Sequence, residues 1–377
     1  MLNERKTMKR KIKILHVQIT DNYGGIESLL TNIYSDIDRK KFQFDFITTA
    51  KKPYQDKLKS LGANIYLMPS IKNTVLYIKT FNHVLDNNYD IVHFHKNSAA
   101  NIIPILLAKH HSSHPKIIIH SHNTSPSVNN AALKFLHHSN RWLVNLMADK
   151  KVACTKVAAK WMFGTLNNVQ IINNGIDINK FTYSGQDRDL IREKLGISPS
   201  DLVLGNVGRF SEQKNQSFLI DIFGEVKKAV PNSRLILVGD GLLLDKVKQK
   251  AKKLGLTSKI NFVGNQFDIP AYLSAMDAFV VPSLYEGLSI SAVEAQSEGL
   301  DVFLANTISK EVVLTKNVKM FSLDERPKEI AGMILKNIKF NDRKNDAITV
   351  KNSNYGLNTT TKKFSDLYQG LYYDKKN

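Results

Sequence analysis

Residues 202–230 read LVLGNVGRFSEQKNQSFLIDIFGEVKKAV. The apolar run Leu202 to Val207 breaks at Gly208-Arg209, and beyond a polar turn apolar residues return at helical spacing from Ser217 to Val230. A buried strand that closes on glycine and feeds a helix is the repeating unit of a parallel sheet. The unit recurs downstream: Arg234 to Val238 closes on Gly239-Asp240-Gly241, and strands at Ile260 to Val263 and Ala278 to Val281 flank a helix. It recurs upstream too, where Ile12 to Val17 leads through Gly24-Gly25 into a helix at Ile26 to Ser35. Strands at Phe42 to Thr48, Ile65 to Met68, Ile91 to Phe94 and Lys116 to His120 follow. Two successive alternations predict an α/β chain of two doubly wound domains meeting near Asn174 to Ser184, with a last helix over Thr360 to Tyr373.

The composition fits that reading. A chain of 377 residues exceeds what one hydrophobic core usually organises, and 42% hydrophobic residues suffice for two. The single cysteine, Cys154, excludes an intramolecular disulfide framework and a cysteine-based zinc site, which places the protein in a reducing compartment. The run Ile14 to Ile19 is interrupted by His16 and Gln18 and is too short for an export signal, and Ile102 to Ala108 falls far short of a membrane span. The expected location is therefore cytoplasmic, with any membrane contact peripheral. Charge is uneven: up to Lys180 there are 25 Lys/Arg against 11 Asp/Glu, so most of the net +19 sits in the first half. Such a half attracts phosphate, whether in a nucleic acid, an anionic leaflet or a phosphorylated substrate.

Chemistry concentrates where strands turn into helices. Gly24-Gly25 lets backbone approach a ligand, and the following helix offers N–H groups to an anion. Arg209 and Lys214 place a fork donor and a point charge beside a helix start, a pairing suited to a diphosphate. Glu286, in the turn Pro282-Ser283-Leu284-Tyr285-Glu286-Gly287-Leu288-Ser289, and Glu294 about two helical turns later can face one ligand, Glu286 holding sugar hydroxyls and Glu294 those of a ribose. The N–H groups near Gly287 and Leu288 would meet phosphate. His93 and His95, like His120 and His122, share a face in pairs, but no third ligand stands at diagnostic spacing, so no metal site is expected. The patterns Asp36 to Asp38 and Asp187 to Asp189 follow no strand and read as solvated charge. The segment from Asn130 to Lys151 is amphipathic, fit either to face a membrane or to pack on a sheet.

The turn Gly208-Arg209 with Glu212-Gln213-Lys214-Asn215, the turn Val238-Gly239-Asp240-Gly241 and the run Pro282 to Leu288 followed by Glu294-Ala295 resemble the retaining GT-B glycosyltransferases of family 4. So do Gly24-Gly25, Asp90-Ile91-Val92-His93 and Asn174-Gly175-Ile176-Asp177, and the chain is most similar to bacterial enzymes of capsular and exopolysaccharide assembly. The resemblance implies two Rossmann-like domains facing a cleft: 1–178 for the acceptor, 179–358 for a nucleotide sugar, and 359–377 as a helix crossing back to the first. It implies a donor, UDP-linked, held by Arg209, Lys214, Gly239, Glu286, Gly287, Leu288 and Glu294, with Gly24 and Gly25 closing over its phosphates. His122 matches the sugar-facing histidine, with His120 its rival.

With Arg209, Lys214 and helix N-termini neutralising the leaving diphosphate, no cofactor or metal is required. The acceptor implied is a lipid-linked saccharide at the membrane surface, with same-face attack retaining anomeric configuration. Asp301 stands where relatives often carry proline, which puts the local strand start in question. A nucleotide-sugar epimerase of the same fold, and a nucleic-acid-binding protein using the basic half, are the alternatives. No nucleic-acid-reading motif supports the latter, and nucleic acid is not expected as a partner.

Overall fold

The computed structural model describes residues 10–19, 24–51, 54–124, 130–339, 343, 349–350 and 353–375. Its apolar, β-branched and aromatic runs form two sheets, every strand pair parallel among the described residues, as near-continuous hydrophobic strands require when helices cover both faces. The chain divides into one unit of Met1–Gly175 with Leu357–Asn377 and another of Ile176–Gly356. The sequence places these borders at 178/179 and 358/359, a few residues later.

In the first unit β1 (Ile12–Ile19), β2 (Phe42–Thr48), β3 (Ile65–Leu67), β4 (Ile91–Lys96), β5 (Lys116–Ser121), β6 (Lys150–Ala153) and β7 (Val169–Ile171) lie in the order β3-β2-β1-β4-β5-β6-β7. In the second, β8 (Leu202–Val207), β9 (Ser233–Val238), β10 (Ile260–Gly264), β11 (Ala278–Val281), β12 (Asp301–Ala305) and β13 (Val318–Phe321) lie in the order β10-β9-β8-β11-β12-β13. Strand order reverses between β1 and β4 and again between β8 and β11. Open parallel sheets bind ligands at the carboxyl ends of strands flanking such a reversal.

The two reversals are anchored alike. Asp90, just before β4, accepts the Lys13 N–H of β1 at 3.0 Å and takes both guanidinium nitrogens of Arg10 at 2.8 and 2.7 Å. Asp277, just before β11, accepts the Val203 N–H of β8 at 2.8 Å and pairs with Arg188 at 2.7 Å and Arg192 at 2.8 Å. Arg192 and Asp277 are both buried, at 2% and 4% exposure, so removing Arg192 costs roughly 3–5 kcal/mol, whereas Arg10 is half exposed and its loss costs less.

The terminal helix Leu357–Asp374 belongs to the first unit. Its buried Phe364, Leu367, Tyr368, Leu371 and Tyr372 join a core with Ile12, Ile14, Phe42 and Phe44. The second core gathers Phe223, Leu235, Val280 and Phe303.

Two expectations need correction. The amphipathic segment 130–151 is not one helix: Ala131–Met147 ends before Asp149, whose carboxylate accepts the Ile117 N–H at 2.8 Å and so starts β6 beside β5. Asp301 does not disturb its strand. It opens β12, buried, and accepts the Lys339 N–H at 2.6 Å.

Candidate functional site

At the carboxyl ends of β8 and β11 two turns are laced together. Asn215 adopts a left-handed conformation (φ 54°) at the start of helix Gln216–Ala229, and its side-chain amide donates to Pro282 O at 3.2 Å. The Leu284 N–H donates to Gln213 O at 2.8 Å. This lacing sets Lys214 against Glu286, Nζ to Oε1 at 2.5 Å, with side-chain exposures of 20% and 6%. Ser283 Oγ donates to the same carboxylate oxygen at 2.9 Å, and Gln213 Nε2 to the other at 3.3 Å while also reaching Tyr285 O at 3.0 Å. The carboxylate is thus held from several directions, and a lysine ammonium spending one proton on it has two left to donate.

Arg209 is exposed in the neighbouring turn, and among the described residues its guanidinium has no hydrogen-bond or ion-pair partner. Its backbone carbonyl accepts from Gln216 Nε2 at 3.0 Å, which fixes the turn without tying up the side chain. Gly239 packs against this turn: at φ 132° a Cβ there would lie 2.2 Å from Gly208 O. Its conformation therefore answers to packing between the two glycine turns, which also share the Phe210 N–H to Asp240 O bond at 2.9 Å.

Glu294 sits within helix Ile290–Ser297, and desolvation pushes its pKa up to about 7, against the pull of the Lys214 ammonium. That interaction places Glu294 in the same electrostatic neighbourhood as the Lys214–Glu286 pair. Gly287 and Leu288 lie, buried, between Glu286 and the start of this helix. Gln213 and Ser283 stand in the turns that the sequence singles out, and Gln216 directly beyond one of them, yet nothing in the sequence gives any of the three a role. Their amides and hydroxyl are what hold Glu286 and the Arg209 turn in place.

The corresponding position of the first unit differs in character. Gly24 and Gly25 are exposed at the start of helix Gly25–Asp36, while the preceding Asn22 and Tyr23 lie outside the described residues. The Gly24 N–H donates to Glu27 Oε2 at 3.1 Å, so a carboxylate already occupies part of the expected anion position. At the end of β4, Lys96 is buried, its ammonium donating to Asn101 O at 3.0 Å, and desolvation lowers its pKa to about 8.

His122 follows β5 at 9% exposure, whereas His120 lies inside the strand at 0%. His122 Nε2 is 2.9 Å from His95 Nδ1, and His95 Nε2 is 3.0 Å from His16 Nδ1. The fold supplies the third imidazole that spacing alone did not: His16, His93 and His95, and likewise His95, His120 and His122, bring their ring nitrogens within 4.8 Å of one another. The signal in the sequence was His16, opposite His93 in the parallel register of β1 and β4.

Residues 187–352 match the family Glycosyl transferases group 1, and residues 23–180 match Glycosyltransferase Family 4. The chain is 33% identical over 313 residues to a Bacillus subtilis (strain 168) protein named as glycosyltransferase EpsF, covering 80% of each. It is 26% identical over 331 residues to the Escherichia coli UDP-Gal:alpha-D-GlcNAc-diphosphoundecaprenol alpha-1,3-galactosyltransferase, covering 83% of this chain and 84% of that one. Among solved structures, Anabaena HepE in complex with UDP-glucose superposes with a TM-score of 0.80 at 21% identity, over 95% of this chain and 99% of that one.

Proposed function

The chain belongs to the group 1 and family 4 glycosyltransferases, and from that membership we propose that it moves a hexose or N-acetylhexosamine from a UDP-linked donor to a lipid-linked saccharide in capsule or exopolysaccharide assembly. The observation that carries the residue assignment is the Lys214–Glu286 pair at 2.5 Å beside Arg209, which is unpaired among the described residues, in the turns that follow the two strands flanking the reversal of the second sheet. Arg209 and Lys214 would take the donor diphosphate. Glu286 would take hydroxyls of the donor sugar, and Glu294 those of the ribose.

As the glycosidic bond to diphosphate breaks, charge develops on the leaving oxygen, and two cations held in advance stabilise it without reorganisation. This supports transfer without a metal. With no carboxylate assigned as nucleophile, attack by the acceptor from the face the diphosphate leaves gives retention. His122, in the first unit, would face the donor sugar.

A UDP donor is supported by the UDP-glucose bound in HepE and by the UDP-galactose in the name of the E. coli relative. The diphosphoundecaprenol in that name supports a lipid-linked acceptor. Among the described residues no helix is long and apolar enough to cross a membrane. Peripheral contact is supported by helix Ala131–Met147, which exposes Phe135 (71%), Trp142 (64%) and Leu146 (72%) on the strongly basic half of the chain.

A thermal-shift screen against UDP, GDP, ADP and their common sugars tests the donor, because a ligand that binds only the native state raises its apparent stability, by about 2.7 kcal/mol at a hundredfold excess over Kd. Stabilisation by UDP compounds is the expected result. Stabilisation by GDP or ADP compounds alone would overturn the UDP assignment.

A further inference from the structure

Five imidazoles of the first unit, His16, His93, His95, His120 and His122, are buried together at the carboxyl ends of β1, β4 and β5. All five lie against the terminal helix or one ring away from it: His93 Nδ1 is 2.9 Å from Tyr368 Oη, Phe364 meets the rings of His93 and His120, Tyr368 meets His16, and His95 and His122 pack on His93 and His120. Two triads of these rings converge enough to hold a metal ion. The distances argue otherwise. Ligands at 2.0–2.1 Å round a tetrahedral zinc stand about 3.4 Å apart, whereas the two contacts of His95 are 3.0 and 2.9 Å, the length of a hydrogen bond. Neither triad offers a carboxylate or thiolate to offset the charge of an ion.

A hydrogen bond between two ring nitrogens consumes one N–H and one lone pair, and a neutral imidazole has one of each. Burial keeps these rings neutral: it lowers the pKa of His16 and of His122 to about 3, and that of His95 well below its ordinary value. His95 bonded on both sides must therefore donate to one neighbour and accept from the other. Only two arrangements satisfy both contacts, with the proton on Nε2 of all three rings or on Nδ1 of all three. The tautomer of His122 is set two rings away.

The far end of the chain selects between them. Among the described residues His16 Nε2 is buried without a hydrogen-bond partner. Phe46 stacks on the His16 ring at 20°, whereas Phe44 is tilted against it at 56°, centroids 4.4 Å apart, and is the ring that can turn its face to an in-plane N–H. Aromatic rings receive an N–H on their faces and repel a lone pair there. We propose that His16 and His95 are positioning residues that lock His122 as its Nε2–H tautomer, leaving Nδ1 as an acceptor for a hydroxyl of the donor sugar. His122 Nδ1 is itself buried with no hydrogen-bond partner among the described residues. The acceptor role rests on the reading of His122 as the sugar-facing residue.

The test is nitrogen NMR of the full-length protein labelled with 15N-histidine, in which protonated and bare ring nitrogens are well separated. The wild type is expected to show His122 with bare Nδ1 and protonated Nε2. His16→Phe, which keeps a ring in the core and touches His122 nowhere, is expected to yield a mixture of His122 tautomers and a several-fold lower kcat at unchanged donor KM. A His122 protonated at Nδ1 in the wild type overturns the proposal, and this measurement needs no variant to fold. A folded His16→Phe protein with an unchanged His122 tautomer also overturns it, as does stoichiometric uptake of added Zn2+ with loss of the histidine N–H signals. Full transfer by His122→Ala, with the tautomer result intact, would overturn the sugar-facing reading while leaving the chain of rings in place.

Discussion

At the reversal of the second sheet the polar groups are charged, mutually satisfied and partly open to water: Lys214 and Glu286 at 2.5 Å, two further donors on the carboxylate, and Arg209 exposed beside them. At the reversal of the first sheet the polar groups are mostly buried, neutral histidine rings, with the Lys96 ammonium beside them, and several ring nitrogens there have no partner among the described residues. The same topological position has been filled in two opposite ways. A group that must neutralise a diphosphate needs permanent charge close to solvent, where ionisation costs little. A group that must only orient hydroxyls works as a neutral donor or acceptor, and burial then sharpens its tautomer instead of its charge.

The comparison breaks most easily on the charged side. Arg209→Ala and Glu286→Ala should each lower transfer on the order of 10²- to 10³-fold with the fold retained, as initial rates and circular dichroism would report. Near-normal turnover in either variant would remove that residue from the reaction. Lys214→Met should leave the Glu286 carboxylate buried without its cation, at a cost of about 3 kcal/mol in denaturant unfolding and about tenfold in UDP affinity. Adding Glu286→Gln should recover the stability but not the affinity. Recovery of both would mean that Lys214 serves the fold alone.

A smaller effect sharpens the contrast through pH. Glu294 has its pKa raised to about 7 in the folded protein, against an ordinary 4.5. The folded state therefore holds this proton more tightly than the unfolded one, and the stability it contributes is full below pH 4.5 and lost as pH rises through about 7. Ribose hydroxyls donate best to the ionised form, so UDP affinity should rise a few-fold over the same interval, and Glu294→Gln should flatten both curves in calorimetry. The smallest expected effect is none: chelation with EDTA should leave transfer largely unchanged. Complete loss rescued by a divalent ion would show that Arg209 and Lys214 do not suffice for the diphosphate.

Strands whose residues are buried on both faces were legible: Phe42–Thr48, Leu202–Val207 and Ala278–Val281 follow from their apolar runs alone. Lys150–Ala153 was not, because its two lysines continue the polar face of the helix before it, and only pairing with β5 makes it a strand. Val318–Phe321 hides likewise, with Lys319 inside a four-residue run. Of the candidate site, the charged residues could be read from turns that stand in sequence beside their own strands. The groups that hold them could not, because glutamine and serine carry no pattern, and neither could the chain of histidines, because His16 reaches His95 only across a sheet register spanning 79 residues of chain.

The terminal helix has a consequence in time as well as in packing. Phe364 and Tyr368 complete a core whose other members come from the first strands made, and the whole of Ile176–Gly356 is synthesised in between. At about 5–20 residues per second a ribosome needs on the order of ten to forty seconds for that interval. Through it, Phe42, Phe44 and the histidine face of the first sheet wait without their roof, while the second unit has all its own residues and can fold. The unit begun first closes last, and a nascent chain stalled before Leu357 presents a half-covered sheet to whatever binds exposed apolar surface.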